Sequence, residues 1–150
     1  MLDDPRWDAW RVPAQATGGH ARGSVRVISY EPAIFSPGFD PAPDLVETYV
    51  TQRFRGDMSG TGTARLLQTV RPDNSAGFVG IERVVGAVAG RYGSFVLQVT
   101  GVMAGSRMSG NWFVVPHSGT GELTGLGGEG RFLGAVGAHA KVTLDYWFDR

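Results

Sequence analysis

Glycine and proline break this chain so often that no segment of about ten residues or more carries an amphipathic helical period. The runs between the breaks are β-branched and aromatic. Residues 24–30 alternate, with Val25 and Val27 on one face and Arg26 and Ile28 on the other. Residues 45–55 form the longest such run, closed by Gly56, Gly60 and Gly62. Residues 63–70 come next, then a turn at Arg71-Pro72-Asp73-Asn74. Residues 77–85, 94–102, 110–115, 122–126, 130–136 and 139–148 complete eight or nine expected strands. Short strands with evenly spaced turns indicate an antiparallel sandwich or a closed barrel. Closure removes exposed strand edges, and an eight-stranded barrel either fills its interior or holds one small ligand.

The remainder of the chain sets the boundaries. Pro5, Pro13, Gly18, Gly19 and Gly23 break any element before residue 24, so residues 1–23 read as an irregular N-terminal arm, with one helical turn near Trp7 to Trp10. Residues 24–150 read as a single domain. Pro32, Pro37, Pro41 and Pro43 make residues 31–44 a long loop, the kind that is usually functional or mobile.

Composition excludes several functions. Lys+Arg 14 against Asp+Glu 14 gives zero net charge, which argues against a nucleic-acid binder that works by neutralising phosphates. The absence of cysteine removes disulfides, thiolate catalysis and cysteine-rich zinc sites. No apolar run is long enough to span a membrane, and the polar, acidic N-terminus is unlike a secretory signal, so a cytoplasmic location is expected.

Few residues carry a chemical signal of their own. Gly125-Leu126-Gly127-Gly128-Glu129-Gly130 matches G-x-G-x-x-G, but Arg131-Phe132-Leu133-Gly134 continues as a strand and not as a helix, so a tight turn is expected and no dinucleotide site. His20, His117 and His139 show no metal-ligand spacing, and no metal is expected. His117 beside Ser118 reads as a turn at a strand end, because adjacent residues rarely orient as nucleophile and base. Glu82 and Arg83 sit in mid-strand, so one of them must face the interior; a buried Glu82 would need a partner such as Gln98 or a neighbouring Arg.

A set of motifs runs along residues 48–148. Arg53-Phe54-Arg55-Gly56-Asp57-Met58-Ser59-Gly60-Thr61 is similar to K-R-F-x-G-D-x-x-G-T. Residues 76–86 are similar to A-G-Y-x-x-x-E-R-x-x-G, and residues 90–98 to G-R-x-G-S-F-x-L-Q. Residues 114–123 are similar to V-V-P-x-S-G-T-G-E-L, and Thr143-Leu144-Asp145-Tyr146 to T-L-D-Y. Together these motifs resemble those of the bacterial DUF3224 family, whose fold resembles the allene oxide cyclase barrel. That resemblance implies an all-β, closed eight-stranded antiparallel barrel with an apolar cavity.

It also implies cofactor-free cyclase or isomerase chemistry on a small hydrophobic molecule. The alternative is a non-catalytic ligand-binding or structural barrel. Tyr30-Glu31 resembles the cyclases' Y-E-I-N, whose glutamate lies at the cavity floor, which makes Glu31 the expected catalytic residue. Ala33 stands where the cyclases have Asn, and Val99 where many family members have His. Tyr30, Phe35, Tyr49, Thr51, Gln68, Glu82, Phe95, Gln98 and Trp112 are the expected cavity residues. Strand alternation turns some aromatics outward, so a homo-oligomer, dimer or trimer, is expected.

Overall fold

A computed structural model describes residues 17–135 and 138–149. The helical turn expected near Trp7 to Trp10 lies outside the described residues. The strands are β1 (Thr17–Ser36), β2 (Asp44–Gly56), β3 (Met58–Val70), β4 (Ala76–Val88), β5 (Arg91–Ala104), β6 (Arg107–Val114), β7 (Thr120–Gly121), β8 (Leu126–Ala135) and β9 (Ala140–Phe148). Every pairing is antiparallel. From β1 to β6 each strand pairs with the next; β8 pairs with β6 and β9, and β9 returns to β1. The ring is therefore a closed eight-stranded barrel, as expected, with the two-residue β7 added to β5.

The connections β1–β2, β3–β4, β5–β6 and β8–β9 lie at one end of the barrel, its upper end. Alternate residues point inward. In the lower half the inward positions are large and apolar. Met58, Val88, Phe95, Leu97, Val114, Leu123 and Leu144 are all buried there and leave no lumen.

Two expectations about local structure change. First, β1 begins at Thr17 and continues to Ser36, so it takes in the end of the expected arm and the start of the expected loop. Residues 17–23 are held by pairing with β9. Pro32 is tolerated because β1 leaves β9 after Val25, so only its β2 edge is paired there. Second, the strand expected over 122–126 is a turn. Leu123 N–H donates to Thr120 O at 3.0 Å and Leu126 N–H to Leu123 O at 3.0 Å, which places the Leu123 side chain in the core. Gly125, at φ +84°, completes this turn before β8, but the rest of the glycine cluster is not the tight turn expected: Gly127, Gly128 and Gly130 lie within β8, paired with β9.

A bulge in β1 sets which of its residues enter the barrel. Val27 pairs with Gln52, but the next pairing is Ser29 with Thr51, leaving Ile28 as an extra residue. Before the bulge the inward positions are Ala21, Val25 and Val27; after it, Tyr30 is inward and Ser29 and Glu31 are outward. The Ser29 and Thr51 hydroxyls share a 2.5 Å hydrogen bond on the outer side.

Phe95 is fully buried in this lower core. Phe95→Ala is expected to lower unfolding free energy by about 3–5 kcal/mol, read from urea denaturation.

Candidate functional site

Above the packed half, the lumen holds a cavity of about 70 Å³. Its wall is mainly apolar, and Val50, Leu66, Phe78, Val99, Trp112 and Phe132 supply much of it. Met103 and Met108 line its upper part, and Tyr30 stands at the rim, 45% exposed.

One carboxyl group faces this space. Glu82 projects inward from β4 and is 2% exposed. The local sequence explains its position. On β3, between β2 and β4, the inward residues beside it are Gly62 and Ala64. Gln52 from β2 and Glu82 from β4 therefore meet above β3, and Gln52 Nε2 donates to Glu82 Oε2 at 2.7 Å. A Cβ at Gly62 would overlap Glu82 Oε2 and lie 2.8 Å from Phe54 Cε2. Among the described residues Gln52 is the one hydrogen-bond donor to this carboxyl, and Oε1 has no protein partner.

Burial pushes the Glu82 carboxyl up to about 7 from its usual 4.5, and the Gln52 hydrogen bond only partly opposes this. A second polar group lies nearer the rim. Thr48 Oγ1 donates to Gln68 Oε1 at 2.8 Å, and Gln68 Nε2 donates to Tyr30 Oη at 3.0 Å. Gln68 and Thr48 are buried, so this chain meets their polar demand within the wall.

Of the expected cavity residues, Tyr30, Gln68, Glu82 and Trp112 come together here. The others do not. The β1 bulge turns Glu31 outward, where it is exposed opposite Tyr49, so the carboxyl at the cavity is Glu82. Phe35 is 57% exposed on the part of β1 that runs past the barrel. Tyr49 and Thr51 occupy the outward positions of β2; Tyr49 lies under Arg65, whose guanidinium carbon is 4.2 Å from the ring centroid. Phe95 is in the lower core, away from the cavity. Gln98 pairs with outward Ile81 and lines an open outer groove with Asn111, Phe113 and Arg131. Glu82 and Arg83 do take opposite faces as expected, but the partner is Gln52.

Gln52, Thr48 and the two methionines are additions to the expected set. Gln52 and Thr48 share their alternation with Val46, Val50 and Phe54, a polar pair within an apolar face, and that was the available signal. His117, at φ 67°, is an exposed turn residue. Ser118 Oγ donates to Val115 O at 2.6 Å and accepts from Val96 N–H at 3.1 Å, which ties the turn to β5. No metal-binding cluster of His, Asp or Glu occurs among the described residues.

The Glu82 shift has a stability consequence. Below about pH 4.5 the carboxyl is protonated in both folded and unfolded chains; as pH rises through about 7, ionisation increasingly favours the unfolded chain. Its contribution therefore falls across this window, by an amount on the order of a few kcal/mol. Glu82→Gln, which retains an acceptor for Gln52, is expected to remove this part of the decline in thermal unfolding midpoint between pH 5 and 8, roughly the window of the shift.

The comparisons with known proteins agree with this architecture. The family model described as "Protein of unknown function (DUF3224)" matches residues 21–146. No curated protein matches. The crystal structure of a DUF3224-family protein of unknown function from Shewanella oneidensis MR-1 superposes with a TM-score of 0.74 at 31% identity, covering 89% of this chain and 100% of that one. The family match reaches every strand that closes the barrel, and the chain belongs to the DUF3224 family.

Proposed function

We propose that this protein is a small-molecule-binding barrel that takes a compact, largely apolar ligand into the upper lumen and engages its polar group with Glu82. The observation that carries this reading is a buried carboxyl with one unpartnered oxygen beside an apolar cavity. Such a pocket, with few polar groups among apolar walls, has the composition of a ligand site. A cavity of about 150 Å³ accommodates benzene, so this one suits a ligand of roughly three or four heavy atoms at rest. Met103 and Met108 are partly buried and can repack around more. Ring closure of a long substrate calls for a depth that the filled lower barrel does not offer.

The pKa near 7 favours a second reading, a cofactor-free isomerase. Glu82 would take a proton from one carbon of the ligand and return it to another, so that no proton is gained or lost. In that reading Glu82 has the role expected of Glu31. The outer face of β3 and β4 supports the expected self-association, because Leu67, Val79, Ile81 and Val85 are each about half exposed and lie close together. Sedimentation is expected to give an assembly larger than a monomer, and Ile81→Glu to shift it towards monomer.

The lumen reading is tested by titrating small polar-apolar probes and monitoring the resonances of Val99, Met103, Met108 and Trp112. Shifts confined to these residues are expected in the parent protein and in Glu31→Gln. Ala64→Leu, which fills the lumen, is expected to lose them. A protein that responds to no probe would be a filled structural barrel.

A further inference from the structure

We propose that the upper lumen is a site for a small organic cation, an alkylammonium, held by the Glu82 carboxylate with its alkyl part against Phe78, Trp112 and Phe132. This rests on the lumen-binding reading and adds the charge of the ligand. Three observations carry it.

The first is an unmatched charge. Glu82 is the one acidic side chain on the cavity wall, and no Arg, Lys or His lines it among the described residues. The elements around it bring only neutral groups: Tyr30 from β1, Gln52 from β2, Ala64, Leu66 and Gln68 from β3, Val99 and Met103 from β5, Met108 and Trp112 from β6, and Phe132 from β8. Tyr30 is the sole other titratable group among them. Buried carboxylates are ordinarily matched by a cation, and the protein supplies none here.

The second is the unpartnered oxygen. Gln52 occupies Oε2, and Oε1 is left for a donor from outside the protein. An ammonium group is such a donor and carries the missing charge. The third is the wall. Phe78 and Phe132 have ring centroids 6.2 Å apart, and Phe132 and Trp112 have centroids 5.3 Å apart, so the three rings form one continuous aromatic surface. An apolar surface of this kind removes the alkyl part of the ligand from water.

Binding is then coupled to proton release. The protonated acid gives up its proton as the alkylammonium arrives, leaving carboxylate and ammonium paired. Affinity for the cation therefore rises with pH across the range in which Glu82 ionises, while affinity for a neutral isostere does not.

The test compares isopropylammonium with isopropanol, monitored through the cavity resonances at about pH 5.5 and about pH 8.5. The cation is expected to bind more than about tenfold tighter than the alcohol at the higher pH, and to lose most of that advantage at the lower. In Glu82→Gln, shown to be folded by its unfolding transition, the two probes are expected to bind alike. If the alcohol binds as well as the cation at both pH values, the cation assignment is overturned and the lumen reading stands. If neither probe moves these resonances at high millimolar concentration, both are overturned.

Discussion

An eight-stranded barrel is only just wide enough for side chains to fill, so a large inward residue on one strand requires a small one beside it. This chain meets the requirement with glycine. A Cβ at Gly62 would strike Glu82, one at Gly101 would strike Phe78, and one at Gly130 would come within 2.9 Å of Trp112 Nε1. The Trp112 indole lies across Gly130 and donates to Thr143 O at 3.0 Å. Bulk and absence of bulk alternate around the wall, and the lower core and the upper cavity both result from where that alternation is complete.

The same rule explains how a carboxyl can be held inside. Gln52 and Glu82 lie on strands separated by β3, and neighbouring strands are about 4.8 Å apart. Two side chains of their length meet only if the strand between them presents nothing larger than glycine and alanine, as β3 does at Gly62 and Ala64. Packing then accounts for the electrostatics. The site that removes Glu82 from water supplies one amide donor and no cation, and the carboxyl holds its proton to about 7.

The lumen is thus asymmetric along its axis. Its lower half is closed by aliphatic and aromatic side chains, and its upper half is lined by the partly buried Met103 and Met108 and the rim Tyr30. The Thr48–Gln68–Tyr30 chain satisfies its own polar groups within the wall. Among the described residues Glu82 is the one acidic group on the cavity wall, and its Oε1 has no protein partner.

Local pattern determined the strands and turns, because glycine, proline and period-two alternation act over a few residues; the family motifs at 53–61, 76–86 and 90–98 added the barrel. Opposite faces for Glu82 and Arg83 also came from alternation alone. Which face pointed inward did not. On β2 the choice between Thr48, Val50 and Gln52 on one side and Tyr49 and Thr51 on the other depends on register with β1 and β3. On β1 the bulge at Ile28 reverses the alternation, so Tyr30 enters the barrel and Glu31 leaves it. A one-residue shift moves every later side chain to the other face, and hydrogen bonds to another strand decide it. The carboxyl at the cavity is therefore Glu82, placed by contacts with Gln52 and Gly62 that lie 30 and 20 residues away in the chain.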